Sequence, residues 1–586
     1  MSERLRRDPG LALLLGALIA ALAMYAPTLG RGLVNHVDPW LVRDNWIVND
    51  PSWTSLRQIW FDLSPETRFV LGTEYYPVRD VSLMLDHAVW GSWYGGFHAT
   101  SLSLYLAAIA LWFAALTELG IDRRIVGVMV LVWALHPSHA ESVAWISERG
   151  GVLAAMFAGA TAFAYARFRA GRSASWLVLA AIATLGAVWS KAPLVFSIAA
   201  LGGLELVLPA RRVSGKRILV GLGVLGAAAL GALIPMLPTI FTAARFGSPA
   251  TVIGTLGFEL ELGALALKSS PSYAISAAGP SMLDIAFGGL GAVALLALVL
   301  VPARGRWRPP AELRAAAVLW LASWIPVSHL VLPAHAVQVA DRDLLLPTLG
   351  IALALSVGLV QVASSRARRA LIATIVIACG LRGLDAQSNW RDSTTLWRRA
   401  VETHRADGNA WALYAEAVTD DGHVDRAFAV IAEGLRNSRS PRLLLRKALL
   451  ALYGASRKNA ITAMREAAVV GEPRAMVNLA MLLLEAGKHA DALAWATRGA
   501  YTLPMHPSAQ RALGIVAMAA KQPRVAVLAF ERALRLEPKN TLNKYNLAIA
   551  LTAMGRHGEA QPYSAACDDD PSFGWRIRVL VDSLRH

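Results

Sequence analysis

Apolar residues are bunched along this chain. Between residues 11 and 386, runs of about 17 to 22 apolar residues recur with short polar loops between them, each long enough to cross ~30 Å of hydrocarbon as a helix. The runs predict spans near 11–29, 97–119, 125–138, 151–168, 175–190, 192–209, 218–241, 283–302, 313–332, 343–363 and 370–386, about eleven in all. A weaker apolar stretch at 250–270 reads as an interfacial or re-entrant helix. The first run follows "RLRRD", is about 19 residues long and has no small-x-small cleavage site, so it reads as a retained helix and not as a leader. An odd number of spans puts the two ends of the chain on opposite sides of the membrane.

From about residue 387 the pattern becomes amphipathic. Segments beginning at Glu472, His506 and Asn540 align with a period of 34 residues: Leu479, Leu513 and Leu547 share one phase, and Ala492, Ala526 and Ala560 share another. That period, with a small residue where two helices must approach closely, is the signature of the tetratricopeptide repeat. A unit from Asn409 and a degenerate one near 440–471 bring the array to about five. Paired helices of this kind bury their apolar faces only by stacking, and the stack forms a concave surface suited to peptides. The predicted fold class is therefore all-α: a polytopic transmembrane helical domain over 1–386, with an outer loop at 30–95, followed by an α-solenoid over 387–586.

Composition changes this picture little. The 586 residues are 55% hydrophobic and only 17% charged, which excludes an ordinary soluble protein of this length. The net charge of +16 suggests nucleic acid until its placement is considered. Basic clusters near residues 4–7, 123–124, 167–172, 211–217, 304–308 and 366–369 all sit in short loops between apolar runs, and the alternate loops are poor in Lys and Arg. The charge is a topology signal that places those loops, and the N-terminus, in the cytoplasm.

The opposite face carries ionisable residues of a different kind. The long outer loop holds Asp38, Asp44, Arg79, Asp86 and His98 among its aromatics, and an aromatic belt accounts only for the aromatics. The next outer loop reads "HPSHAESVAWISERGG": Pro137 ends or kinks the preceding helix, His136 and His139 can then share a face, and Glu141 lies two residues on. Lys191 stands in "WSKAPL", and His335, Asp341 and Arg342 in "HAVQVADRDLLLP". Singly, each has an ordinary structural account, such as a snorkelling lysine, a capping aspartate or an Asp341–Arg342 pair. Together, on one side of the membrane, they suggest a polar cavity. Carboxylates supply a general base or hold a divalent cation, and Arg and Lys clamp a phosphate. Such a site suits a donor whose phosphate is anchored in the membrane and whose sugar projects outward. It equally permits a polar-lipid transporter.

In order along the chain, "LVNHVDPWLVRDN", "NDPSWTSLRQIW", "YYPVRDVSLMLDHAVWG", "HPSHAESVAWISERGGVLAAMF", "SKAPL" and "VADRDLLLPTLGIAL", followed by the repeats, resemble the transmembrane and tetratricopeptide-repeat glycosyltransferases of the GT-C superfamily, protein O-mannosyltransferase-like enzymes. The resemblance covers nearly the whole chain and implies a polyprenyl-phosphate sugar donor. It places the family's acidic motif on "NHVDP", where Val37 followed by Asp38 stands in place of two consecutive acids, and puts Tyr105 where a histidine is expected. By the same analogy Asp38, helped by Glu141, takes the proton of the acceptor hydroxyl. Arg149, Lys191 and Arg342 neutralise the lipid phosphate, and Asp44, Arg79, His98, His136, His139 and Asp341 support them. A divalent metal such as Mg or Mn, if one is used, is expected on Glu141 with His139.

The expected function is transfer of mannose or another hexose from the lipid donor to an acceptor, a protein Ser or Thr, held by the repeats outside the cytoplasm. A non-catalytic, membrane-anchored repeat scaffold for envelope assembly, favoured by Val37, and a lipid or polysaccharide transporter are the alternatives. Arginine-rich, lysine-poor composition points to a GC-rich bacterial host, hence to the inner membrane with periplasmic repeats.

Overall fold

The computed structural model describes residues 8–208, 213–240, 248–265, 269–270, 273, 280–300, 309–328, 330, 339–454 and 457–568. Among these residues the chain is helical, with no strand. It folds as two compact units, residues 1–63 with 71–404 and residues 64–70 with 405–586.

In the first unit a helix falls on each of the eleven apolar runs. Six are long and apolar enough to cross a membrane: Pro9–Gly30, Tyr94–Leu119, Ile146–Arg169, Gly215–Thr239, Met282–Leu300 and Ser365–Ser388. The others, Arg123–Ala134, Ser175–Ser190, Ser197–Val207, Ala311–Trp324 and Thr348–Val360, are shorter. Length and composition thus establish six candidate crossings, not eleven. The shortening has local causes. Pro137 follows the Arg123–Ala134 helix, Lys191 and Pro193 separate Ser175–Ser190 from Ser197–Val207, and Pro347 caps Thr348–Val360. The weaker 250–270 stretch contains a helix, Pro249–Leu265, packed on Met282–Leu300. A methyl on Gly257 would lie 2.0 Å from the Asp284 carbonyl, and one on Gly288 1.9 Å from that of Ile253, so two glycines permit this backbone contact.

Tyr94–Leu119 and Arg149–Arg169 lie side by side and run the same way, since Arg149 bonds the Phe97 carbonyl at one end and Arg169 that of Leu119 at the other. Their shared core includes the fully buried Tyr105, Trp133 and Tyr165. Trp112 donates to the Ala155 carbonyl (3.1 Å) and Trp133 to that of Leu345 (2.8 Å), so the ring N–H groups buried there are satisfied. At the end remote from Arg149, Arg167 pairs with Glu118 (2.8 Å) and Arg169 with Glu205. The basic residues at 4–7, 211–212 and 304–308 lie outside the described residues.

The second unit contains five helix pairs: Gly408–Asp420 with Val424–Asn437, Pro441–Gly454 with Arg457–Val469, Pro473–Glu485 with His489–Thr502, Pro507–Ala519 with Pro523–Leu536, and Thr541–Ala553 with His557–Asp568. Asp407, Glu472 and Asn540 cap first helices by accepting from backbone N–H groups. Ala492, Ala526 and Ala560 are buried where the helices of a pair meet. The short helix Pro65–Val70 also packs in this unit, against Pro523–Leu536.

In four of the pairs the turn between the helices contains a left-handed residue. Gly422, Gly487 and Gly555 supply it, and the same position in the fourth pair is Lys521, at φ 59°. A side chain there is strained, because its Cβ crowds the following carbonyl. Lys521→Gly is expected to stabilise the chain by about 0.5–1 kcal/mol in thermal or chemical unfolding. An unchanged or lowered midpoint would show that the turn is not strained.

Candidate functional site

The segment from His136 to Gly151 is a short helix, His139–Ala144, and a single tight turn, Ile146–Glu148, leading into Arg149–Arg169. It collects most of the ionisable residues picked out by the sequence. Glu141, 2% exposed, accepts from the Arg342 backbone N–H (3.0 Å) and from its guanidinium. Glu148 accepts from Lys191 Nζ (2.6 Å) and lies 3.9 Å from Arg342 Nε. Lys191 Nζ is also 3.6 Å from Asp343. Two cations thus face three carboxylates. Burial pushes the Glu141 carboxyl up, against the pull of Arg342.

This cluster closes one end of an apolar groove. Trp112, Ala158, Leu201, Leu204 and Leu319 line its length, and Lys191, Arg342 and Asp343 its polar end. Its empty volume, including the part open to solvent, is about 790 Å³. Gly150 holds the end together: a Cβ there would meet the Ser190 carbonyl at 2.7 Å, directly before Lys191.

Asp38 lies on the other side of the same turn and does not line the groove. Its carboxylate, 1% exposed, accepts from the backbone N–H of Val34 (3.0 Å) and Ser147 (3.1 Å) and from the Ser147 hydroxyl. These donors favour the charged form, but burial outweighs them and pushes the carboxyl up to about 6. Around it the aromatic residues stack: His36 on Trp145 at 4.8 Å, and Trp145 on Trp390 at 5.3 Å, with the Arg342 guanidinium 5.9 Å from the Trp145 ring.

The other sequence-derived residues are held within the fold. Arg149 is fully buried, ion-paired with Asp86 (2.7 Å) and hydrogen-bonded to Ser101, Ser82 and the Phe97 carbonyl, and it does not line the groove. Arg79 bonds Asp80, Glu74 and the Leu71 carbonyl. Asp44 is exposed and paired with its neighbour Arg43. His98 is buried against the Gly32 backbone. His136 meets Ser138 and the Gly263 carbonyl; His139 meets Tyr105 (2.7 Å) and Thr348 (2.8 Å), so the tyrosine at 105 serves as its hydrogen-bond partner. Asp341 accepts from Tyr273 (2.7 Å) and Ser269 (2.6 Å); it does not pair with Arg342 as the sequence suggested. His335 lies outside the described residues. Both ring nitrogens of His139 are engaged and Glu141 is clasped by Arg342, so these two do not fit a metal. Among the described residues no three ligating side chains cluster. Sequence reasoning passed over Glu148 and Asp343, although both stand in the quoted stretches beside Arg149 and Arg342.

Comparison with known proteins bears on the second unit. The family model described as tetratricopeptide repeat matches residues 445–507 and 511–572, so this part of the chain carries tetratricopeptide repeats, a scaffold of the protein-binding type. No curated protein sequence matches the chain. Similar solved structures include YrrB, described as a TPR protein with an unusual peptide-binding site, at 14% identity over 31% of this chain and 97% of that one, with a TM-score of 0.27. MamA from Desulfovibrio magneticus RS-1 is similar at 15% identity over 31% and 97% (TM-score 0.25), and BtubC from P. vanneervenii at 16% over 32% and 88% (TM-score 0.26). At these scores the likenesses carry no argument about function.

Arg149 offers a test of the geometry. Arg149→Met leaves the Asp86 carboxylate buried with only Thr100 (2.7 Å) as partner, and is expected to cost about 3–5 kcal/mol in unfolding of the detergent-solubilised chain. Asp44→Asn should change the midpoint by no more than measurement error. Equal small effects would contradict the buried pairing.

Proposed function

We propose that the chain is a GT-C-type membrane glycosyltransferase that moves a hexose, mannose or a close relative, from a polyprenyl-phosphate donor to a hydroxyl of a protein acceptor on the outer side of a bacterial inner membrane, the repeats selecting the acceptor. The observation that carries this reading is the groove: an apolar trough whose one polar end bears a lysine and an arginine is shaped for a lipid tail with a phosphate head. On this reading the membrane domain crosses the bilayer about eleven times, its shorter helices included.

The chemistry is a single displacement. The acceptor oxygen bonds to the anomeric carbon as the carbon–oxygen bond to the lipid phosphate breaks, and the electron pair leaves with the phosphate. Lys191 and Arg342 stabilise that charge by exchanging Glu148 and Asp343 for phosphate oxygens. Asp38 takes the hydroxyl proton. A carboxyl that titrates near 6 is ionised at neutral pH and more basic than an exposed one, as a general base should be. Glu141 holds Arg342 in place. Arg149, sealed by Asp86, supports the turn and is a positioning residue.

A second reading, a repeat scaffold without chemistry, is favoured by one observation: the Asp38 carboxylate already accepts three hydrogen bonds.

Intact-glycopeptide mass spectrometry of envelope proteins from a deletion strain separates the two. Hexose on Ser or Thr should vanish in the deletion and return with the wild type but not with Lys191→Ala or Asp38→Asn. Return with both variants would remove these residues from the site, and a glycoproteome that never changes would favour the scaffold. In purified protein the transfer rate should fall as the pH drops through about 6, where Asp38 takes up a proton. A rate that is flat across that range would exclude Asp38 as the base.

A further inference from the structure

The helix Pro77–Trp90, within the 30–95 segment, carries its polarity the wrong way round for a loop in water. Its charged side chains point inward. Arg79, Asp80 and Asp86 are buried, Arg79 pairing with Asp80 (2.9 Å) and Glu74 (3.0 Å), and Asp86 with Arg149 (2.7 Å). Its outward face is hydrocarbon. Val78, Val81, Leu85, Ala88 and Val89 recur along it at helical spacing, and Leu85 and Val89 are 58% and 68% exposed. A surface helix in water turns its charges to the solvent and its aliphatic stripe to the core. Ionisable groups turned toward the protein and aliphatic ones turned outward mark a helix that faces lipid.

The two ends of this helix fix where it lies. At its start the Arg79 side chain runs against Gly150, where a methyl would lie 3.7 Å from Arg79 Cδ, and Gly150 abuts Ser190, the last residue of Ser175–Ser190. At its finish Trp90 covers Gly96, and Gly95 has no room for a side chain against the Leu29 carbonyl, beside the end of Pro9–Gly30. Thr100, early in Tyr94–Leu119, donates to Asp86 (2.7 Å). The helix, about 21 Å long, therefore runs across the ends of three candidate crossings, Pro9–Gly30, Tyr94–Leu119 and Ile146–Arg169. Trp90 and Trp93 stand at its finish with their rings edge to face at 5.3 Å, both exposed, as indoles do where hydrocarbon gives way to water. We propose that Pro77–Trp90 lies in the surface of the lipid bilayer, its apolar face against acyl chains and its charged face against the protein. A second copy of the chain is a poorer occupant, because one stripe about 21 Å by 10 Å falls well short of the ~800 Å² a side that a stable dimer buries. Through Arg79, Gly150 and Ser190 the helix is joined to Lys191, so this seat sets the polar end of the groove at the depth of the lipid phosphates. The seat depends on no step of the transfer chemistry.

The test places a nitroxide at Leu85→Cys or Val89→Cys in the full chain, with Cys379→Ala and Cys567→Ala, in phosphatidylcholine vesicles. Oxygen concentrates in hydrocarbon, whereas a nickel chelate stays in water. Leu290→Cys, exposed on the Met282–Leu300 crossing, and Tyr501→Cys, exposed in the repeats, supply the two references. At Leu85→Cys and Val89→Cys the ratio of nickel to oxygen collisions should lie about tenfold below that at Tyr501→Cys and approach that at Leu290→Cys. A ratio at both positions equal to that at Tyr501→Cys would overturn the proposal. So would labels shielded from both reagents and broadened by one another, the mark of a second copy on this face. All four positions are exposed, so the label displaces no packed side chain, and co-elution with the wild type in detergent checks the fold. Because no sugar transfer is read, failure here leaves the transferase reading standing, and failure of transfer leaves this one standing.

Discussion

A charge buried in an apolar fold has to bring its partner with it, and in the first unit one short segment gathers four such partnerships. Between His136 and Gly151 the chain turns sharply and presents in succession Glu141 to Arg342, Ser147 to Asp38, Glu148 to Lys191 and Arg149 to Asp86. These contacts hold the 30–95 segment, the Lys191 turn and the 341–344 turn to the same few residues. Losing one partner would leave the other buried and uncompensated, a far larger penalty than the net gain from forming the pair. The polar end of the groove exists because this segment is pinned from several sides.

The groove in turn gives the ionic network its chemical meaning. Among the described residues the cations lining it are Lys191 and Arg342, and each is already shared between carboxylates. On the proposed reading an incoming phosphate exchanges for Glu148 and Asp343 and does not simply fill an empty positive site. Such an exchange keeps both cations paired throughout, while Glu148 and Asp343 give up their partners to the phosphate. Asp38 is anchored by Ser147, one residue before Glu148, so the same turn that meets Lys191 also holds this carboxylate.

Much of this was legible in the sequence because it is periodic or local. The 34-residue register of Leu479, Leu513 and Leu547 follows from helix pairs stacking on one another, and it reappears as buried leucines at those positions. The left-handed turns recur on the same register, with Lys521 where the neighbouring repeats have glycine. The placing of ionisable residues near helix ends was equally readable, because the cost of burying charge confines them there. Their pairing was not. Glu141 and Arg342 are 201 residues apart, Asp38 and Ser147 are 109 apart, and no local rule joins them. The neighbours Asp341 and Arg342 looked like a pair, yet the backbone turn sends one to Tyr273 and the other to Glu141. Glu148 was overlooked because it lies beside a conspicuous arginine. Six of the apolar runs stand out as candidate crossings by length and composition, and in the others apolar composition continues through proline-marked breaks that divide it into short helices.

The account stands or falls on whether the groove takes a lipid by its phosphate. Native mass spectrometry of the purified chain, offered polyprenyl phosphate and the corresponding polyprenol side by side, measures this directly. The account predicts that the phosphorylated lipid stays bound to the wild type, that the alcohol does not, and that Lys191→Gln and Arg342→Gln each lose the phosphorylated form. Equal retention of both lipids, or retention of the phosphate form by both variants, would contradict it.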